Sequence, residues 1–256
     1  MSDYQSVSKC QRSSPTVSGG RLLNILFSVS YEEKRNPARK YKVYKILFLK
    51  FKFNTVYQTN KVYKLDKIGN KCLITNRKEL FKYLKNVTGE NNTIVLPDTE
   101  LLNFFIIEMP GSNNIVEIKG IERCSNITID IYGDNSSILI DNVKYFVNAH
   151  LRIDGNSKKI MIGKDCMFSY GINIWTGDGH PIYDLTTEER INEDQDVIIG
   201  NHVWMGRNVS VHKGGVIPDG CVIGANSFVT KKFYESNCMI AGTPARIIKK
   251  NIRWEM

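Results

Sequence analysis

Aliphatic residues recur at every sixth position over the C-terminal part of the chain. The spacing holds without a slip at Ile199, Met205, Val211, Ile217, Ile223 and Val229. Small or β-branched residues follow the first five of these by four positions, at Val203, Val209, Gly215, Cys221 and Ser227. An α-helix has a period of 3.6 residues and an ordinary strand a period of two, so neither explains this pattern. It predicts a triangular solenoid in which each aliphatic side chain points inward and stacks on its counterpart one coil later.

The same spacing weakens toward the N-terminus. Ile162, Phe168 and Ile174 keep the period of six, and Cys166 and Ile172 supply the second inward set. Further upstream, β-like stretches at 127–131 and 137–140 are separated by Asn, Asp and Gly, which favour turns. We expect these to form degenerate first coils, with a register that the pattern does not define. Residues suited to left-handed corners are Asn201, Asn208, Asp219 and Asn226.

One segment interrupts the period, and another ends it. Residues 176–197 (TGDGHPIYDLTTEERINEDQDV) are strongly polar and carry no hexad. Loops that leave a regular repeat scaffold are frequent sites of function, so this one is the predicted active-site loop. After Val229 the period stops, and 239–250 is predicted to form a last strand, a Gly-Pro turn and a short basic helix. Such a cap would cover the open edge of the final coil.

The pattern divides the chain into four segments. Residues 1–20 are rich in Ser and are predicted to be a disordered tail. A small mixed N-terminal region at 21–110 includes a helical pattern at 77–86. The solenoid follows at 111–238, and a cap at 239–256.

Charge is concentrated in the N-terminal region. Residues 34–85 hold 16 Lys and Arg against two acids, a net charge of +14, whereas 86–256 carry a net charge of −5. This segregation predicts contact with an anionic polymer or the anionic inner face of a membrane. A solvated Lys-rich surface is the alternative. Basic residues interleaved with aromatics can also mark nucleic-acid binding, but no accompanying signature supports that, so we expect no nucleic-acid partner.

Six cysteines are scattered without a CxxC pair, so neither a zinc site nor a disulfide framework is indicated. Reduced thiols favour a cytoplasmic location, with peripheral attachment to the inner membrane as a variant. No apolar stretch reaches the length of a membrane span.

Four motifs resemble the hexapeptide-repeat acyltransferase superfamily. They are GDGHPI at 177–182, VIIGNHVWMG at 197–206, VIPDGCVIGANSFVT at 216–230 and AGTPARIIKKNIRW at 241–254. The chain is most similar to galactoside and maltose acetyltransferases and to O-acetyltransferases of bacterial capsules or sialic-acid polymers. The resemblance implies an all-β fold, a left-handed parallel β-helix, assembled as a homotrimer with active sites in grooves between subunits. It also implies acetyl-CoA as cosubstrate, a carbohydrate acceptor and no requirement for metal.

The resemblance assigns the catalytic roles to two residues. A sugar hydroxyl is a poor nucleophile at neutral pH, so a neutral His in hydrogen-bond reach is needed to take its proton. The family's catalytic His matches His180, whose backbone Pro181 restricts to extended conformations. Either Asp178 or Asp184 is expected to orient the imidazole. The family's Trp lies along the pantetheine arm and matches Trp204, and a backbone N–H beside Gly206 is expected to stabilise the oxyanion.

Further site residues follow from the same match. Those expected to bind coenzyme A, besides Trp204, are Gly206, Ala225, Ser227, Thr230, Lys231, Lys232, Arg246 and Lys249. Those expected to bind the acceptor are Asn173, Trp175, Asp178 and Asp184. The family's usual acidic residue after the VTK-like turn is replaced here by Lys232, which puts the acceptor in doubt.

Three alternatives remain open on sequence alone. The nearest is N-acetylation of a nucleotide-linked amino sugar. A zinc enzyme on the same scaffold would need three converging His ligands, for which His202 and His212 are poorly spaced. A non-catalytic solenoid scaffold is the third, and the presence of both His180 and Trp204 argues against it.

Overall fold

The computed structural model describes residues 58–97 and 105–256. The tail at 1–20, the part of the basic segment before residue 58 and the stretch at 98–104 therefore lie outside the described residues. One helix, α1 (Arg77–Leu84), falls in the predicted helical stretch, and the side chain of Asn76 caps it by accepting hydrogen bonds from the backbone N–H groups of Lys78 and Glu79. Its buried side chains Leu80, Tyr83 and Leu84 pack toward the solenoid.

The remaining elements are strands. In chain order they are β1 (Lys61–Leu65), β2 (Lys71–Leu73), β3 (Asn86–Val87), β4 (Thr93–Leu96), β5 (Phe105–Met109), β6 (Ile115–Ile131), β7 (Ser137–Ile153), β8 (Lys159–Ile162), β9 (Cys166–Phe168), β10 (Ile172–Trp175), β11 (Val197–Ile199), β12 (Trp204–Met205), β13 (Ser210–Val211), β14 (Val216–Ile217), β15 (Val222–Ile223), β16 (Phe228–Val229), β17 (Met239–Gly242) and β18 (Ala245–Lys249).

These strands build the predicted fold, a left-handed parallel β-helix of about six coils. Three faces are defined by their parallel pairings. Face 1 contains β8, β11 and β14, face 2 contains β9, β12 and β15, and face 3 contains β10, β13 and β16. The long strands β6 and β7 run around corners and contribute to all three faces.

The hexad pattern correctly identifies the core. Ile199 pairs with Ile217 and Met205 with Ile223, one coil apart, and these four side chains are at most 2% exposed. The second inward set is also buried. Left-handed corners are only partly where the sequence places them. Asn208 and Asn226 have positive φ, but Asn201 and Asp219 do not, and His202 takes the left-handed conformation instead.

The parallel ladder begins earlier than residue 111, because β1 already pairs with β4 and β4 with β6. The upstream coils use a 22-residue spacing rather than the 18-residue spacing of the C-terminal coils. A ladder of buried amides fixes it. Asn92 accepts a hydrogen bond from the Asn114 backbone and donates to the carbonyl of Gly111, and Asn114 repeats both bonds one coil later.

Glycines at the same 22-residue spacing let the coils approach closely. A Cβ built on Gly133 would lie 1.7 Å from the carbonyl oxygen of Gly155, and one on Gly111 would lie 2.1 Å from that of Gly133. We expect Gly133→Ala to destabilise the protein by about 3 kcal/mol or more, because backbone must move to relieve the clash. The free energy of unfolding, obtained from urea titrations, measures this loss. Gly69→Ala is the control, since it adds only backbone strain in open space, and an equal loss in both variants would contradict the packing explanation.

The C-terminal cap is a β-hairpin, so the predicted capping helix is wrong. β17 continues face 2 by pairing with β15, and β18 folds back antiparallel on β17. After this hairpin, Trp254 is buried and stacks on His202 at a centroid distance of 4.1 Å. The hairpin covers the last coil as a helix would, and it uses the free edge of β17 to do so.

Candidate active site

The polar excursion leaves face 3 directly after β10 and returns to the solenoid at β11. His180 lies in this loop with its side chain exposed to solvent. The preceding Gly179 has a φ of +81°, and a Cβ at that position would lie 3.2 Å from the guanidinium of Arg152. Glycine therefore permits both the backbone conformation and the close approach that bring the loop back against face 3.

A buried amide holds the His180 backbone in place. Asn192, which is 7% exposed, donates to the carbonyl oxygen of His180 at 2.9 Å and to the carboxylate of Asp178 at 2.8 Å. Its own oxygen accepts from the backbone N–H of Ile182 at 2.7 Å. Lys213 closes the arrangement with an ion pair to Asp178 and a hydrogen bond to the Asn192 carbonyl. We call Asp178, Asn192 and Lys213 the loop latch.

Neither predicted acid orients the His180 ring within this chain. Burial opposes ionisation of Asp178, but hydrogen bonds from Lys213 and Asn192 together outweigh it and lower the pKa. Asp184 accepts from the backbone N–H groups of Thr187 and Thr186, which lower its pKa. Both carboxylates are thus committed to loop structure. Sequence reasoning missed Asn192 and Lys213, because the loop carries no repeat and its internal bonds leave no periodic signal.

The latch predicts a separation of catalysis from stability. We expect Asn192→Ala to reduce kcat by about one to two orders of magnitude, because a small displacement of His180, the expected base, is costly. The KM for acetyl-CoA should change little. Glu193→Ala is the matched control, since its neighbouring side chain is largely exposed and makes only a 3.8 Å ion pair with Arg190. Steady-state kinetics on both variants measure it, and a wild-type kcat in Asn192→Ala would contradict the positioning role.

Face 3 carries a column of stacked side chains beside the loop. The Arg152 guanidinium lies over the rings of Tyr132 and Trp175, at 4.8 and 5.7 Å from their centroids. Trp175 stacks in turn on His212 at 5.2 Å, and His212 meets the edge of Phe228 at 4.7 Å. Burial lowers the pKa of His212; Asp178 opposes this and Lys213 adds to it. The imidazole of His212 is therefore neutral near pH 7.

A cavity of about 370 Å³ opens next to this column. It brings together residues predicted for coenzyme A, Thr230, Lys231 and Lys232, with the latch residues Asp178 and Lys213. Exposed lysines at its rim provide the cationic surroundings that phosphate groups require. Arg246 and Lys249 are exposed on β18.

Two residues predicted to bind coenzyme A have polar groups bonded within the fold. The Ser227 hydroxyl is buried, donating to the Gly224 carbonyl and accepting from the Gly242 N–H. The N–H of Gly206 itself donates to the Ile223 carbonyl at 2.8 Å, so the oxyanion donor expected beside Gly206 stays a prediction. Gly206 instead permits close stacking, since a Cβ there would lie 2.8 Å from the Ala225 nitrogen.

His180 and Trp204 belong to different faces. The His180 loop leaves from face 3, whereas Trp204 lies on β12 of face 2, with its ring centroid 6.0 Å from that of Trp254. Its indole is 38% exposed. Val222 pairs with Trp204 one coil later on face 2 but is buried, and Phe228 lies on face 3, so these three side chains form no single exposed apolar patch.

The structure also bears on the zinc alternative. His202 packs on Trp254 at the corner before β12, and His212 packs on Trp175 on face 3. Within residues 58–97 and 105–256, no group of three His, Cys, Asp or Glu side chains is placed to hold a metal ion. The cysteines in the same ranges, Cys72, Cys124, Cys166, Cys221 and Cys238, form no disulfide with one another. No helix of the described part is long and apolar enough to cross a bilayer.

Comparisons with known proteins agree with this geometry. No family model matches the chain. It is 44% identical over 93 residues to the polysialic acid O-acetyltransferase of Escherichia coli O1:K1, covering 36% of this chain and 30% of that protein. It is 43% identical over 93 residues to the enzyme of that name from Neisseria meningitidis, covering 36% and 43%. The chain thus spans less than half the length of these curated relatives.

A solved structure matches over a larger share. The polysialic acid O-acetyltransferase OatWY is 36% identical to this chain, with a TM-score of 0.51, and the match covers 66% of this chain and 89% of OatWY. The shared solenoid and the sequence identity together define the relationship. The chain belongs to the hexapeptide-repeat acetyltransferases, the family that includes OatWY.

Proposed function

We propose that this protein is an acetyl-CoA-dependent O-acetyltransferase that modifies a sugar hydroxyl of a bacterial surface polysaccharide. The observation that carries the proposal is the exposed His180, whose backbone is held by the buried Asn192 of a latch whose other two residues, Asp178 and Lys213, line the lysine-rimmed cavity. The relatives named for polysialic acid support the acceptor class.

The reaction needs one proton acceptor and one leaving group. His180 takes the proton from the acceptor hydroxyl while the hydroxyl oxygen attacks the thioester carbonyl. The tetrahedral intermediate then collapses, the carbon–sulfur bond breaks, and the proton passes from His180 to the departing thiolate. Acetylated sugar and coenzyme A leave, and the imidazole is again neutral. Thr230, Lys231 and Lys232 are the residues we assign to the coenzyme, with Arg246 and Lys249 as further cations.

The two catalytic residues require more than one subunit in this scheme. His180 extends from face 3 and Trp204 projects from face 2, so a groove between neighbouring copies would pair the loop of one with the indole of the next. Three such contacts would close a ring, which is the homotrimer we propose. Acetyl-CoA is a cytoplasmic metabolite, and we assign the protein to that compartment, where thiols are kept reduced.

The proposal is tested with the full-length protein and labelled acetyl-CoA. Polysialic acid, uncharged polysaccharides and nucleotide-linked amino sugars are offered in parallel, and label transfer and thiol release are followed together. We expect O-acetyl groups, which mild alkali removes, on a polysaccharide. Label that resists mild alkali on an amino sugar would replace the proposal with N-acetylation, and no thiol release with any acceptor would refute both.

A further inference from the structure

A second and larger cavity lies on face 3, on the N-terminal side of the His180 loop. Its volume is about 590 Å³, and it is lined by Ile106, Asn126, Thr128, Asn148, Ala149, His150, Gly171 and Asn173. Of these, the sequence analysis predicted only Asn173 as a contact for the acceptor. A volume of this size suits a small organic ligand such as one or two sugar rings.

Neutral hydrogen-bonding groups dominate the lining. Asn126, Asn148 and Asn173 each carry an amide that both donates and accepts, and Thr128 adds a hydroxyl. Adjacent hydroxyls of a sugar ring present the same mixture of donors and acceptors. The cavity opens where a column of corner asparagines is interrupted by Gly171, whose φ is +75°. A side chain there would collide with Asn208, since a Cβ would lie 2.5 Å from its amide oxygen.

His150 is the one titratable residue in the lining, and a buried acid holds it. Its Nε2 lies 2.6 Å from the carboxylate of Asp130, which is 8% exposed. In the neutral imidazole, Asp130 accepts the Nε2 proton and leaves Nδ1 as an acceptor. The His150 ring also meets the edge of Trp175 at 5.4 Å. A ring fixed on two sides in this way can select a hydroxyl in one orientation.

Charge around the cavity disfavours an anionic ligand. Arg152 lies two residues beyond His150 on β7, and Asp154 already pairs with it through two nitrogens, Nε and Nη2. The carboxylate of Asp130 lies against His150, and Glu108 stands next to Asp130 in the ladder. The same carboxylates act on the nearby Tyr132 phenol. Burial raises its pKa, and the negative charges of Asp130 and Glu108 raise it further. The lining itself holds no Lys or Arg, so a carboxylate entering here would lose water without meeting either in the lining.

We propose that this cavity is a subsite for an uncharged sugar ring of the acceptor, with His150, oriented by Asp130, as the residue that recognises one of its hydroxyls. The inference rests on the proposed function and narrows its acceptor class. Trp175 connects the subsite to the active site, because it contacts His150 on one side and His212, which lines the smaller cavity, on the other. The acceptor would thus extend along face 3 toward His180.

This assignment differs from what the basic segment at 34–85 and the polysialic acid relatives suggest, namely an anionic acceptor. The two ideas separate in a binding experiment on the full-length protein without acetyl-CoA. The probes are maltotetraose and a galactose tetrasaccharide, both uncharged, and a sialic-acid tetramer. Saturation-transfer NMR and calorimetry report affinity, and we expect at least one uncharged probe to bind more tightly than the sialic-acid tetramer.

Variants locate the binding in the cavity. Asn148→Gly removes a lining amide but keeps the left-handed backbone, since Asn148 has a φ of +49°. We expect Asn148→Gly to lower the affinity for the uncharged probe about tenfold, the equivalent of roughly 1.4 kcal/mol. Asn135→Gly is the matched control, because Asn135 has a φ of +55° and is not part of the lining. His150→Ala should weaken the same probe at least as much, and Asn173→Lys should raise the affinity for the sialic-acid tetramer.

Each result bears on the subsite separately from the reaction. Tighter binding of the sialic-acid tetramer to the wild type, equal losses in Asn148→Gly and Asn135→Gly, or no saturable binding of uncharged probes would each overturn the inference. Acetyl transfer to a polysaccharide would still stand in those cases. Conversely, probe binding that depends on Asn148 and His150, without transfer to any acceptor, would keep the subsite and refute the proposed function.

Discussion

His180→Ala should lower kcat by about two to four orders of magnitude, the share that general acid–base catalysis usually contributes. The alanine leaves no group in the loop to take the hydroxyl proton as attack begins. Folding should be unaffected, because the loop is held through the backbone carbonyl of His180 and through the latch, not through the imidazole. Acetyl transfer to the acceptor identified by the panel measures the effect, with thermal unfolding as the check on structure.

A neighbouring variant separates chemistry from disturbance of the loop. Leu185 lies in the same loop, and its side chain is fully exposed. Leu185→Ala should therefore keep wild-type kcat while changing a similar amount of loop surface. If His180→Ala kept near-normal turnover on the true acceptor, another group would have to serve as the base. His212 would then be the first candidate, because it is neutral near pH 7 and lines the adjacent cavity.

The predictability of the fold follows from how each coil is stabilised. The C-terminal coils are stabilised by one aliphatic residue per face, so the period of six is visible and both inward sets from Ile199 to Val229 are identified correctly. Val197 is buried on β11, although the sequence pattern assigned it to the polar loop. The upstream coils depend on buried Asn side chains and on glycines in close contact. Their 22-residue spacing does not divide by six. Because polar and glycine positions also occur in loops, these coils look irregular in sequence although they continue the same ladder.

The prediction of a helix in the C-terminal cap failed for a related reason. Residues 245–250 are basic and aliphatic, which suits either a short helix or an edge strand. The unpaired edge of β17 decides between them, since its backbone groups need partners that an antiparallel strand supplies. That edge exists only once the coil has closed. Local pattern alone therefore could not distinguish the hairpin from a helix.

Prediction of the site also depends on whether a residue stands in a recognisable local pattern. His180 and Trp204 were proposed because they stand in short motifs that resemble those of a family, and their roles stay predictions. The latch and the pair of His150 with Asp130 were not, because their partners lie 14 to 35 residues apart in the chain and carry no motif. Trp175 shows a further limit. Its indole nitrogen is buried and has no hydrogen-bond partner in the described structure, a feature that only coordinates reveal.

Trp204→Ala should raise the KM for acetyl-CoA while leaving acceptor affinity nearly unchanged, because the exposed indole would no longer line the pantetheine arm. We also expect Trp204→Ala to lose most activity, because contact of the indole with the pantetheine arm would place the thioester beside His180. The face assignments add a sharper expectation. Because His180 and Trp204 lie on different faces, a groove between subunits would take His180 from one subunit and Trp204 from its neighbour. His180→Ala and Trp204→Ala therefore each remove only one of these two contributions.

Mixing the two inactive variants tests that arrangement directly. His180→Ala and Trp204→Ala subunits are unfolded together, refolded as mixed oligomers, and compared with each variant refolded alone. A groove is intact when a subunit with His180 meets a neighbour with Trp204, so random assembly at equal amounts should restore about one quarter of wild-type activity in a cyclic trimer. The double variant mixed with wild type is the control for refolding yield. Light scattering should report a trimer throughout. Activity no greater than that of the separate variants, in mixed trimers of normal size, would show that both residues serve one subunit's own site and would rule out the shared groove.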